Sequence, residues 1–154
     1  MHKKVTGVIL LVLGIALDLY SKSYVFQHYM FAQKTPVIFF LSWAPVYNTG
    51  IAWSIASNHG VLITIISFSL SLMCITEFIR NPGFFWGFIC AGGVANTFDR
   101  VVYGAVRDFI ALSYGAHHFP IFNIADCYLS LGILMLFMQH YFGSSRHFTL
   151  LGDR

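Results

Sequence analysis

The chain has 154 residues, 57% of them hydrophobic and only 10% charged, with a formal net charge of +3 and a mean hydropathy of +0.70. A soluble domain carries about 45–50% apolar and about 25% charged residues. The composition excludes a disordered chain, a nucleic-acid binder and an ordinary cytosolic enzyme. The charges are also widely spaced, with none between Lys34 and Glu77, from Asn81 to Phe98, or from Cys127 to Ser145. In a helix, about 18–20 apolar residues cross a hydrocarbon core of about 30 Å. The chain is therefore read as an integral membrane protein with one domain, 1–154, and no internal repeat.

The first span is expected over about 5–25. It follows a basic start and resembles a signal peptide, but Asp18 and Lys22 come next without a small-residue cleavage site, so it is read as a retained helix. Residues 28–59 are rich in aromatics and hold Pro36 and Pro45; the alternation from Thr35 to Trp43 predicts β structure or an interfacial segment. Further spans are expected over about 60–78, 84–102 and 125–142. The stretch from Tyr103 to Ile121, with Gly104, Gly115 and Pro120, reads as the loop joining the third and fourth spans.

Four spans put both termini on one side, with Lys3, Lys4, Arg80, Arg146 and Arg154. The other side carries Lys34 and Arg107, with Lys22 and Arg100 at its helix ends. The excess of basic residues makes the termini cytoplasmic. Trp43, Trp53, Tyr24, Tyr29, Tyr47, Tyr103 and Tyr114 then crowd the outer interface, where they read as an aromatic belt rather than as substrate contacts. Cys74, Cys90 and Cys127 show no metal-binding spacing and read as small apolar residues; only Cys127, beside Asp126, stands out.

The sidedness sorts the six acids. Glu77 and Asp153 fall on the cytoplasmic side, whereas Asp18, Asp99, Asp108 and Asp126 converge on the outer face. Acids at membrane depth are costly and usually face a bundle interior or a wet cavity. Some have ordinary explanations: Asp18 and Lys22 can pair at i,i+4, Arg100 can favour a helix C-terminus, and Asp126 can cap a helix that Asn123 also caps. Asp108, placed in the connecting loop, has none. Two carboxylates sharing a proton can hydrolyse an amide without metal or covalent nucleophile, one activating water and the other protonating the carbonyl oxygen. The sequence has no HExxH, GxSxG or phosphate-cradling glycine loop. His117-His118 is a weak metal candidate, and no metal or cofactor is expected.

Four blocks carry a family resemblance: Asp18-Leu-Tyr-Ser-Lys22; Asn48-Thr-Gly-Ile-Ala52; Gly92 to Arg100 with Gly104 to Phe109; and Phe122-Asn123-Ile-Ala-Asp126. In this order they resemble the lipoprotein signal peptidase (signal peptidase II) family of bacterial intramembrane aspartyl proteases. The resemblance implies an all-α membrane fold of four transmembrane helices with a small extracytoplasmic β-cradle and an interfacial helix. It puts the catalytic pair on Asp108 and Asp126, and site-supporting or substrate-binding roles on Asp18, Lys22, Asn48, Gly50, Asn96, Asp99, Arg100 and Asn123. Leu19, Ala95 and Cys127 depart from the family's usual residues without removing a charge.

The implied reaction is cleavage on the N-terminal side of a diacylglyceryl-modified cysteine in a prolipoprotein. The implied partners are lipid-modified prolipoproteins and membrane lipids. The implied setting is the bacterial inner membrane, with a monomer whose site faces outward. The competing reading is a small proton-coupled transporter, for which outer-face acids are also expected, although no broken helix pair or inverted repeat accompanies it.

Overall fold

A computed structural model describes residues 2–50 and 60–143. Ala52, Trp53, Arg146, Asp153 and Arg154, which enter the sequence argument, lie outside the described residues. Helices α1 (His2–His28), α2 (Gly60–Arg80), α3 (Phe84–Tyr103) and α4 (Ile124–Gly143) each cover one expected span and extend it by at most a few residues. Two of them, α1 from Lys4 onward and α2, are long and apolar enough to cross a membrane. Their large apolar side chains point outward: Leu13 is 62% and Val61 78% exposed, whereas Asp18 and Lys22 on α1 and Asp99 on α3 are fully buried. Apolar outside and charged inside is the distribution that a lipid solvent selects.

Helix α3 is the hub, packing against α1, α2 and α4. Small residues let it approach two of these neighbours closely. A Cβ on Gly87 would sit 2.6 Å from the Gly7 carbonyl oxygen of α1, and one on Gly92 would run into the Ala125 carbonyl of α4. Between α2 and α3, the Ser71 and Thr97 hydroxyls share a hydrogen bond of 2.9 Å.

The outer segments form an antiparallel sheet in the order β1 (Thr35–Ile38), β2 (Leu41–Asn48), β3 (Val106–Tyr114), β4 (His117–His118). The alternation noted from Thr35 to Trp43 becomes β1 and the start of β2. Among the described residues there is no short interfacial helix. The loop expected from Tyr103 to Ile121 is largely a hairpin instead, and Asp108 lies on β3. Its first five residues are inward or nearly so, Arg107 and Asp108 included, so the strand lacks the apolar–polar alternation that would have revealed it.

Three local devices aim the sheet at the helix ends. Gly104 adopts φ 70° as the C-cap of α3 and donates its N–H to the Arg100 carbonyl, turning the chain into β3. Between Trp43 and Val46 the β2–β3 register shifts by a residue at buried Pro45, a bulge at a position where Pro cannot serve the ladder. Beyond it, Val46 faces Asp108 and Asn48 faces Val106. Finally, an Ile110–Phe122 bridge ties the residue just before Asn123 to the strand that carries Asp108.

Candidate active site

The buried charges form two groups. The first is an ion cluster inside the bundle. Lys22 Nζ lies 2.7 Å from Asp18 Oδ2 and 3.2 Å from Asp99 Oδ2. Asp99 also accepts from the Arg107 guanidinium (2.8 and 3.1 Å) and from the Arg107 backbone N–H (3.0 Å). Arg107 reaches Ser23 Oγ and stacks 4.3 Å above the Tyr103 ring. The i,i+4 pairing of Asp18 with Lys22 is thus present, but it is only part of the role of Asp18. The other Asp18 oxygen accepts the Ala125 backbone N–H at 2.7 Å, so α1 caps the N-terminus of α4. Arg107, absent from the sequence-derived site, is essential to this cluster's charge balance. Its signal in the sequence was its place, with Lys22 and Arg100, among the basic residues set against the four outer-face acids.

The second group is Asp108 and Asp126, and three asparagines hold it. Asn123 is the N-cap of α4: its Oδ1 accepts the Asp126 N–H at 3.0 Å, and Asp126 Oδ2 accepts the Asn123 N–H at 3.1 Å. This is a reciprocal capping box. With its oxygen so engaged, the Asn123 amide nitrogen donates to Asp108 Oδ1 at 2.6 Å. Asn48 repeats the device. The Gly50 N–H fixes its oxygen (3.0 Å), and its nitrogen donates to Asp108 Oδ2 at 2.9 Å. Asn96 is the third. The Lys22 ammonium fixes its oxygen (2.8 Å), and its nitrogen donates to Asp126 Oδ1 at 2.8 Å. In each case a group that can only donate pins the amide oxygen, so the NH₂ must face a carboxylate.

The capping and dyad readings of Asp126 are therefore compatible, since one oxygen serves the cap and the other faces Asn96. All ten residues singled out from the sequence meet in these two linked groups, with Gly50 also accepting from Arg100 at 3.3 Å. His117 and His118 lie exposed on β4, and Cys127 is exposed on α4.

A cavity of about 340 Å³ opens over the pair, walled by Asn48, Asn96, Arg100, Asp108 and Asp126, by 119–122, and by Leu129 and Ser130. The space is ample for a water and a peptide bond. Burial first, and the neighbouring Asp126 charge second, push the Asp108 carboxyl up to about 7, against the pull of its bonds to Asn48 and Asn123. The arrangement offers two carboxyls, each accepting two N–H donors, of which Asp108 has its proton affinity raised toward neutral pH.

Comparison with known proteins agrees with this geometry. Residues 10–142 match the family model described as signal peptidase (SPase) II. The lipoprotein signal peptidase of Listeria welshimeri is 36% identical over 129 residues, covering 79% of this chain and 84% of that one. The lipoprotein signal peptidase of Acinetobacter baumannii is 34% identical over 141 residues, covering 85% and 80%. A bacterial membrane enzyme structure solved in meso at 2.3 Å resolution superposes with a TM-score of 0.84 at 28% identity over 95% of each chain. A second, at 1.9 Å, gives 0.77 at 28% identity over 100% of this chain and 99% of that one. The match runs through the Asp108 strand and the Asn123–Asp126 cap alike, and the chain belongs to the signal peptidase II family.

Proposed function

We propose that this protein is an intramembrane aspartic endopeptidase that uses Asp108 and Asp126 to cut prolipoproteins on the N-terminal side of a diacylglyceryl-modified cysteine. Family membership makes it a membrane-bound protease that removes signal peptides from prolipoproteins. The observation that carries the finer reading is buried Asn123, whose single side chain bonds to Asp108 and accepts from the Asp126 backbone, joining the two acids that line one cavity.

In this mechanism Asp108, its carboxyl pushed up to about 7, is the protonated member, and Asp126 is the ionised one that takes a proton from water. Each carboxyl accepts two N–H donors. The resulting hydroxide attacks the scissile carbonyl carbon as protonated Asp108 donates to the carbonyl oxygen. The tetrahedral diol collapses when Asp126 returns its proton to the departing nitrogen and Asp108 recovers the proton from the diol oxygen. The carboxyl product forms on the signal peptide and the free amine on the lipidated cysteine. No metal or cofactor takes part.

All four helices cross the inner membrane in this reading, both termini are cytoplasmic, and the chain acts as a monomer with its site at the outer face. The ion cluster then sits at the level where lipid gives way to water, and the sheet lies beyond it. Such a position lets acyl chains and signal helix stay in lipid while water reaches the dyad.

The test is incubation of the purified protein in neutral detergent with a prolipoprotein in lipidated and unlipidated forms, followed by mass. The lipidated form should be cut at the cysteine. An intact lipidated substrate after incubation with well-folded protein would refute the assignment.

A further inference from the structure

A second cavity, of about 590 Å³, adjoins the first at Asp108. It shares Asn48, Asp108 and the 119–121 wall with the first. Its remaining walls belong to the sheet and its approach, with Lys34, Tyr47 and His118, whereas those of the first belong mainly to α3 and α4. Asp108 therefore stands on the divide between a helix-lined chamber and a sheet-lined one.

A scissile bond held against Asp108 and Asp126 must send its two flanks opposite ways. The apolar signal segment and acyl chains match the helix-lined side; the polar mature chain, bound for water, matches the sheet-lined side. Lys34 is the one Lys or Arg among the chamber's described lining residues. Lys34 has no ion-pair partner among the described residues. The only acid among its described lining residues is Asp108 itself, whose carboxyl is pushed up to about 7. A long cation left without a counter-ion in a groove where a peptide passes is an electrostatic filter.

We propose that this outer chamber receives the first residues of the mature chain and that Lys34 makes it select an acidic side chain among them. The inference rests on the peptidase reading. An extended residue spans about 3.3–3.6 Å, so the residues after the lipidated cysteine enter the chamber one by one, and the acidic residue is sought at the first three positions. Lys34 is a specificity-determining residue and takes no part in bond cleavage.

The experiment uses the full chain in neutral detergent and synthetic diacylglyceryl-modified substrates that carry Asp, Asn or Lys at each of those three positions in turn. The wild type should prefer Asp to Lys by about fivefold at one of them, mainly through KM, and the preference should shrink in high salt. Lys34→Glu should invert the order at that position. Indifference to charge at all three positions overturns the proposal while leaving the peptidase reading intact. So does an acid preference that survives in Lys34→Glu. Cleavage of no substrate at all removes both. A third arm adds phosphatidylglycerol: inhibition that depends on Lys34, with no peptide charge preference, would assign the cation to a lipid headgroup and overturn the proposal.

Discussion

Lys22 Nζ lies 2.8 Å from Asn96 Oδ1, and this contact obliges the Asn96 amide nitrogen to face Asp126. A buried ammonium between two buried carboxylates thereby sets the orientation of a group that touches the dyad. Asn96→Ala leaves the Lys22 pairs with Asp18 and Asp99 in place. It should cost about 1–3 kcal/mol of stability but lower kcat at least about tenfold, because Asp126 loses an N–H donor. Lys22→Met leaves buried Asp18 without a cation while Asp99 keeps Arg107, a loss of about 3–5 kcal/mol, and should fail to accumulate. Thermal melts and turnover of the two variants separate the cases; full kcat in folded Asn96→Ala would show that the Asn96 bond is irrelevant to catalysis.

The close approach of α3 to α4 at Gly92 should matter as much as any charge. A methyl there meets the Ala125 carbonyl and the Leu129 side chain, in the same turn whose N–H groups are capped by Asp18 and Asn123. Gly92→Ala should lower the melting temperature and reduce activity more than the stability loss explains, since the helix displaced is the one that carries Asp126. Activity measured well below the variant's melting point checks this, with wild-type turnover as the contrary result.

The pH dependence follows from Asp108. Its carboxyl is raised to about 7 from an ordinary value of 3.8. As the proton donor it is active when protonated, so kcat/KM should fall as pH rises through about 7, the apparent value belonging to the coupled pair. Stability has the same sign. Between about pH 4 and 7 the folded protein holds a proton that the unfolded chain lacks, so this group's contribution declines across that window and is level beyond it. In Asp108→Asn that decline should vanish from the melting curve. A rate that rises through pH 7 would exclude Asp108 as the acid.

Orientation is open to a direct check. In a background without the three native cysteines, a cysteine replacing Ala116, in the turn between β3 and β4, should be labelled from outside intact cells. One replacing Lys4, at the start of α1, should not. The reverse pattern would invert the topology.

Much of this was legible in the residues. Helices follow from long uncharged runs, and the Thr35 to Trp43 alternation gave away β1 and part of β2. Sidedness gathered four costly acids at the outer face and left Asp108 without an ordinary role, but the pairing of Asp108 with Asp126 came only from the family resemblance. Strand β3 was not legible, because Arg107 and Asp108 point inward to polar partners and break the period-two pattern. The second function of Asp18 was also hidden. Its i,i+4 neighbour Lys22 offers a sufficient local explanation, whereas its bond to the Ala125 N–H joins residues 107 positions apart. Likewise, a cap and a catalytic role for Asp126 looked like alternatives until Asn123 was seen to serve both.

If the two carboxylates act as one unit, the initial cleavage rate of Asp126→Asn reveals it. An amide oxygen can still accept the Asn123 N–H that Asp126 Oδ2 accepts, so the variant should fold and insert. It should lose nearly all cleavage of a lipidated prolipoprotein, as should Asp108→Asn, and the double variant should be hardly worse than either. Substantial turnover by folded Asp126→Asn would mean that this residue serves only to cap α4, and the dyad mechanism would fall.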